Sequence, residues 1–222
     1  MMAAQALILD FGGVISRTLF ETHHETEAAL GLAPGTLTWR GPFDQASDPL
    51  WRAMQASEIS ERDYWRHRTA EVATLVGATW RDMAEFVRAA RRGDPERVLR
   101  PEACHAIDAA VRAGKRIAIL SNELDLFYGA EFRQQLPFLS AVDVIHDGTY
   151  TGVLKPEAQA YLSCLQSLGL EARQCVFVDD QQRNIDGARV VGLQAIRFDV
   201  RDPSGSFARA LSQLGIGERN HG

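Results

Sequence analysis

Five short apolar runs, each halting on a polar or acidic residue, constrain this chain more than any other feature. Residues 6–9 (ALIL) stop at Asp10 and a tight DFGG turn, and residues 116–120 (RIAIL) stop at Ser121. Residues 142–145 (VDVI) stop before His146-Asp147-Gly148, residues 175–178 (CVFV) at Asp179, and residues 194–198 (QAIRF) at Asp199. Runs this brief, flanked by turn residues, read as buried strands. Helical patterns separate the later ones. Residues 102–113 carry Ala103, Ile107, Ala110 and Val111 at helical spacing and end at Gly114. Pro156 is expected to open a second helix, through Tyr161, Leu162, Leu165 and Leu168 to Gly169. Residues 182–191 form a third, ending at Gly192. Strand and helix alternating in this way imply right-handed crossovers and a mostly parallel sheet with helices on both faces.

Residues 17–97 break that pattern. They show no convincing strand, hold all four tryptophans (Trp39, Trp51, Trp65, Trp80), and space Trp65, Val72, Leu75 and Val76 as a helix would. Turn signals stand at Pro34-Gly35, Gly41-Pro42 and Gly93-Asp94-Pro95. The expected class is therefore α/β: a Rossmann-like parallel sheet with helices on both faces, plus an inserted all-helical domain. Residues 1–16 and 98–222 form the α/β core and residues 17–97 the insertion. The 222 residues suit one domain of roughly 150 residues enlarged by such an insertion.

Composition narrows the partners. A net charge of −5 argues against nucleic acid, and the insertion sets 11 arginines against 13 acids, so no basic groove is evident. No apolar run approaches the roughly 18 residues of a membrane helix. The start, MMAAQALILD, lacks the basic and apolar regions of a signal peptide. Cys104, Cys164 and Cys175 are few, odd in number and widely spaced, which favours a reducing cytoplasm over a disulfide framework. The tail, GIGERNHG, is expected to fray.

In an open parallel sheet, ligands bind beyond the carboxyl ends of the strands. Here those ends carry Asp10, Ser121 with Asn122, and Asp179 with Asp180, and Lys155 precedes a helix that starts on the same edge. Singly, each has a structural alternative as a turn, cap or helix-start residue. Together they gather three carboxylates, a hydroxyl and an ammonium on one rim. Clustered carboxylates repel unless a cation joins them, and all-oxygen ligands favour a hard ion such as Mg²⁺. Lys155 and Mg²⁺ together suit a phosphate group. Only two of the 24 basic residues are lysines, Lys115 and Lys155. Lys155 falls among these rim residues, whereas Lys115 follows Gly114 and reads as a surface charge. Neither G-x-x-x-x-G-K-[ST] nor G-x-G-x-x-G occurs, so nucleotide loops of those types are not supported.

LILDFGGVI, IAILSNE, GVLKPEAQAY and CVFVDDQQRNIDGARVVG, in this order across residues 6–198, resemble the four motifs of the haloacid dehalogenase-like (HAD) hydrolase superfamily. The helical insertion resembles the cap domain of the class that inserts it after the first motif. The DFGGV start is similar to a branch that includes sugar-phosphate phosphatases and the phosphatase half of soluble epoxide hydrolases. The resemblance implies that Asp10 is a nucleophile forming an aspartyl-phosphate and, through its other oxygen, a Mg²⁺ ligand. It implies the Gly12 carbonyl and Asp180 as further ligands, with Asp179 behind or exchanging roles with Asp180. Ser121 and the Asn122 backbone N–H would bind the phosphoryl group, and Lys155 would neutralise it. Asn184 would orient Lys155 or the acid pair.

One position departs from the family pattern. Most phosphatases of the superfamily carry an acid–base Asp two residues after the nucleophile, where this chain has Gly12. A substrate with a good leaving group, such as an anomeric or acyl phosphate, needs that acid less. Alternatively His23, His24 or Glu21 replaces it, against the simpler reading of all three as exposed polar residues. The expected function is a Mg²⁺-dependent phosphatase acting on a small phosphorylated metabolite, possibilities including a sugar phosphate, as a monomer or homodimer. The first alternative is a 2-haloacid dehalogenase using the same Asp10. The second is a weakly catalytic or non-catalytic binding protein.

Overall fold

The apolar runs meet in one sheet. The computed structural model describes residues 4–91 and 96–217; the expected turn at Gly93-Asp94-Pro95 and the tail beyond residue 217 lie outside the described residues. The strands are β1 (Ala6–Leu9), β2 (Arg116–Ser121), β3 (Val144–Asp147), β4 (Cys175–Asp179) and β5 (Gln194–Arg197). Their order is β3-β2-β1-β4-β5, and every neighbouring pair is parallel. The chain thus reverses its direction of travel across the sheet at β1, where α/β sheets open a crevice for ligands.

The helices, in chain order, are α1 (His23–Leu30), α2 (Pro49–Gln55), α3 (Glu61–Val76), α4 (Met83–Arg91), α5 (Pro101–Arg112), α6 (Leu124–Tyr128), α7 (Gly148–Thr151), α8 (Ala158–Leu168), α9 (Gln182–Val190) and α10 (Pro203–Gln213). Side chains alternate across a strand. Ala6, Ile8, Ala118, Leu120, Cys175 and Phe177 accordingly share one core with Tyr161 and Leu165 of α8 and Ile185 and Ala188 of α9. The alternate residues, such as Leu7, Leu9, Ile119 and Val178, are also fully buried. On their side α5 and α10 pack against each other and the sheet. A strand buried on both faces has no polar alternation, which is why ALIL of β1 and CVFV of β4 are continuously apolar.

The third strand begins two residues later than the apolar pattern suggests. The Asp143 carboxylate accepts the Ile117 N–H at 2.8 Å, taking a donor that strand pairing would otherwise use. Regular pairing starts only at Val144 opposite Ala118.

Two compact units result: Met1–Arg17 with Leu99–Leu124 and Arg133–Gly222, and Thr18–Val98 with Asp125–Phe132. The first holds the whole sheet. The second has no strand among its described residues. Its core is aromatic: Phe20 lies 5.4 Å from Trp39, 5.2 Å from Trp51 and 5.4 Å from Trp65, centroid to centroid. Beside them Asp48, fully buried, accepts from Tyr64 Oη (2.7 Å), Arg68 (2.6 Å) and the Trp51 N–H (3.0 Å), so its charge is paired inside an apolar setting. Phe127, from the late segment, closes on Trp65 at 5.7 Å. Leu75, at helical spacing with the buried residues of α3, is half exposed. Among the described residues no helix is long and apolar enough to cross a membrane.

Candidate active site

Strand register builds the site. Leu9 pairs with both Ile119 and Val178, so Asp10 comes off β1 level with Asp179 and one residue short of Ser121. The Asp10 N–H donates to the Val178 carbonyl at 2.9 Å, carrying the alignment one residue past the strand. The chain then turns sharply. Gly13 has φ +81°, which favours glycine, whereas Gly12 (φ −70°, ψ 117°) has dihedrals open to any residue. Arg100, buried, clamps this turn: its Nε and Nη2 donate to the Gly13 carbonyl at 3.2 and 3.1 Å, and its guanidinium lies 5.4 Å from the Phe198 ring.

The centre of the site is an ammonium held between two carboxylates. Lys155 Nζ donates to Asp10 Oδ1 at 2.6 Å and to Asp179 Oδ2 at 2.7 Å. Lys155 is 4% exposed and Asp179 0%, so these charges act with little solvent screening. Burial alone would lower the lysine pKa, but Asp10 and Asp179 outweigh it and hold it above the ordinary value. Asp179 is further enclosed by donors. Asn184 Nδ2 reaches both of its oxygens at 3.0 Å, and the Gln181 N–H bonds Oδ1 at 2.8 Å.

Asp180 is only partly buried, and one carboxylate oxygen from each of Asp10, Asp179 and Asp180 lies within 4.8 Å of the others. Three carboxylates this close offer a set of hard oxygen donors, which suits a hard divalent cation, so these three residues can hold a metal ion.

Ser121 ends β2, is 8% exposed, and pairs in register with Asp147. Asn122 follows it and reaches across to Lys155: its Oδ1 accepts the Lys155 N–H at 2.7 Å and its Nδ2 donates to the Lys155 carbonyl at 3.0 Å. The structure thus brings Asp10, Asp179, Lys155 and Asn184 into direct hydrogen bonds, adds Asp180 at carboxylate reach, and ties Asn122 to the lysine backbone. A Cβ at Gly12 would lie 3.9 Å from Asp10 Oδ2, which places position 12 beside the carboxylate.

Three sequence expectations change here. Pro156 does not open a helix: Glu157 is extended (φ −61°, ψ 132°) and α8 starts at Ala158. The Lys155 carbonyl, which a helix from Pro156 would use, is instead bonded by Asn122. Lys115 is not simply a surface charge, since its Nζ donates to the Ala4 carbonyl at 2.7 Å. His23 is buried rather than exposed; it meets the Trp39 ring edge-on at 4.3 Å within the second unit, and neither ring nitrogen has a hydrogen-bond partner. Burial, with Arg40 nearby, lowers its pKa to about 4. Glu21 Oε2 accepts the Thr18 N–H and hydroxyl at 2.8 Å each, and the His24 side chain is well exposed.

Two positions carried no sequence signal. Arg100 is one of 22 arginines and stands in no motif. Asp147 reads as a turn residue, yet its buried carboxylate accepts from the Leu124 N–H (3.2 Å), the Thr149 N–H (2.9 Å) and Arg133 (2.6 Å).

Comparison with known proteins gives a family and a fold. A family model described as haloacid dehalogenase-like hydrolase matches residues 4–192. Protein CbbY (plasmid) of Cupriavidus necator is 30% identical over 232 residues, covering 95% of this chain and 84% of that protein. Phosphatase MT3486 of Mycobacterium tuberculosis is 31% identical over 119 residues, 52% of this chain; the match spans only about half (54%) of that relative's length. Among solved structures, L-2-haloacid dehalogenase from Xanthobacter autotrophicus superposes with a TM-score of 0.58 over 97% of this chain and 85% of its own, at 20% identity, a likeness of fold.

Proposed function

The chain belongs to the haloacid dehalogenase-like hydrolases, and from that premise we propose that it is a Mg²⁺-dependent phosphatase acting on small phosphate monoesters. One observation carries the reading: Lys155 Nζ bridges Asp10 and Asp179 while Asp180 adds a third carboxylate within metal-ligating reach. Displacing halide from carbon gives no reason to gather three acids around a cation site, whereas a transferring phosphoryl group carries negative charge that a cation and an ammonium offset.

Asp10, in this reading, is the nucleophile. One carboxylate oxygen attacks phosphorus, the bond from phosphorus to the leaving oxygen breaks, and that oxygen departs with the electron pair. Water then attacks the aspartyl-phosphate, the bond between phosphorus and Asp10 breaks, inorganic phosphate is released and the carboxylate regenerated, and the proton that water gives up balances the one taken by the departed oxygen. Splitting one difficult displacement into two lowers each barrier. Ser121 and the Asn122 N–H bind phosphoryl oxygens, and Lys155 offsets charge on the nucleophile and the phosphoryl group. Asp10, the Gly12 carbonyl and Asp180 would hold Mg²⁺. Asp179, enclosed by Lys155, Asn184 and the Gln181 N–H, acts chiefly as the lysine's anchor. Bound Mg²⁺ would supply positive charge to the phosphoryl oxygens. With glycine at position 12, departure is easiest for substrates with a good leaving group, including anomeric and acyl phosphates. Residues 17–97 serve as the cap of the class inserted after the first motif, on the DFGGV-type phosphatase branch, and supply selectivity.

The test is hydrolysis of an aryl phosphate with and without Mg²⁺, followed by a panel of phosphorylated metabolites including sugar phosphates. Turnover that needs Mg²⁺ and disappears in Asp10→Asn supports the proposal. Metal-independent halide release from a short 2-haloacid, without phosphate release, would replace it with the dehalogenase reading.

A further inference from the structure

The phosphoryl-binding residue and the lysine stand on different loops, 34 residues apart by number, and their separation is set by side chains outside the charged cluster. Asn122 is the immediate neighbour of Ser121. Its amide spends both ends on one residue, accepting the Lys155 N–H (2.7 Å) and donating to the Lys155 carbonyl (3.0 Å). Two bonds to the N–H and C=O of one residue fix the orientation of its backbone as a strand neighbour would. The lysine side chain departs from this fixed frame and ends between Asp10 and Asp179.

The backbones on either side are pressed together. A Cβ at Gly148 would fall 2.6 Å from the Asn122 carbonyl oxygen and 3.2 Å from that of Val153, so only glycine fits between the two loops. Asp147, one residue earlier, holds the Leu124 N–H at 3.2 Å, two residues beyond Asn122. The loop after β2 is therefore pinned to the loop that carries Lys155 at Asn122, at Gly148 and at Asp147.

We propose that the Asn122 side chain is a positioning residue for Lys155, locking the lysine backbone to the loop that bears Ser121. The assignment rests on the phosphatase reading of the same site. It differs from binding phosphate through the Asn122 N–H, because the side chain acts on the lysine rather than on substrate. A lysine reaches its target through four flexible methylenes, so its ammonium is only as well placed as its backbone. Misplacement of a reacting group by about 1 Å can cost about 10²-fold in rate.

The experiment is a double-mutant cycle on the full chain with Asn122→Ala and Lys155→Met, read in kcat for an aryl phosphate with Mg²⁺ and in the affinity for inorganic phosphate by calorimetry. Asn122→Ala is expected to lower kcat by about 10- to 100-fold. In the Lys155→Met background the same change should alter either readout less than about twofold, since residues acting as a unit are not additive. Equal factors in both backgrounds overturn the proposal, because a merely structural role or a contact with phosphate would persist without the lysine. Thermal melts check that each variant folds, and Asn122→Leu, of similar shape without the amide, replaces Asn122→Ala if that variant does not. A wild-type chain without turnover counts against the phosphatase reading. The cycle is then decided by phosphate affinity, where additive effects, or no binding at all, overturn the Asn122 assignment.

Discussion

Asn184 gives its side-chain amide to both carboxylate oxygens of Asp179, at 3.0 Å each. With Lys155 and the Gln181 N–H also bonded there, Asp179 is surrounded by donors inside the protein, while its neighbour Asp180 remains partly exposed. Two adjacent acids thus sit in opposite environments. Asp180→Asn is expected to raise the Mg²⁺ concentration for half-maximal activity by about tenfold or more, in line with loss of a metal-site group. Asp179→Asn should instead lower the melting temperature, because Lys155 loses a buried partner. Mg²⁺ titrations and thermal melts on both variants check the division; the same response from each would remove it.

Lys155→Arg should lose about 10²-fold or more in kcat, since a forked guanidinium cannot occupy a pocket that fits one ammonium between carboxylates 2.6 and 2.7 Å away. Lys115→Arg should leave kcat unchanged within about twofold, because its ammonium bonds the Ala4 carbonyl, at the opposite end of the strands. Parallel assays of the two variants make the comparison.

Gly187, in α9, lies against the turn after Lys155. A Cβ there would fall 2.7 Å from the Pro156 carbonyl oxygen and 2.9 Å from its Cβ, atoms that cannot swing aside. Gly187→Ala is expected to destabilise by about 1–3 kcal/mol, the usual cost of overpacking, in denaturant unfolding. A neutral result would show that α9 can shift away from the lysine turn.

Position 12 has no such restriction. Its dihedrals suit any residue, and among the described residues an added Cβ meets nothing within 4 Å but Asp10 Oδ2, at 3.9 Å. Gly12→Asp should fold normally and place a carboxyl beside Asp10. Its rate on an alkyl phosphate relative to an aryl phosphate should rise by about 10²-fold, the low end of general-acid assistance. An unchanged ratio would mean that a proton donor is already supplied elsewhere.

His23 gives a pH signature. Burial, with Arg40 and Arg68 nearby and only partly offset by Glu27 and Asp48, lowers its pKa from 6.5 to about 4. The unfolded chain therefore takes up the proton first as pH falls. Its contribution is fully present above about pH 6.5 and declines between there and about pH 4. His23→Phe should flatten part of that decline in melting temperature. Identical slopes for wild type and variant would remove His23 as a source of acid sensitivity.

Much of the fold and of the site is legible in the sequence. Asp10, Ser121 and Asp179 each end an apolar run, and the parallel register puts those ends on one rim. The failures were local competitions won by side chains. Asp143 took a strand donor and delayed β3; Asn122 took the Lys155 carbonyl and delayed α8. Asp125–Phe132 joins the helical unit although it lies after β2 in sequence, because Leu126, Phe127 and Tyr128 pack on that unit's aromatic core.

The sequence by itself determined the sheet and the chemical types at its rim, because hydrophobic periodicity and the residues that interrupt it are local properties of the chain. Only the tertiary structure decided what fixes the Lys155 backbone, which arginine clamps the turn after Asp10, and that the lysine ammonium reaches Asp10. Those outcomes depend on partners 33, 87 and 145 residues apart, as for Asn122 with Lys155, Gly13 with Arg100 and Asp10 with Lys155. No local pattern encodes such pairings. They follow from strand order and register, which set carboxylates, amides and cations within hydrogen-bond reach only after the sheet has closed around β1.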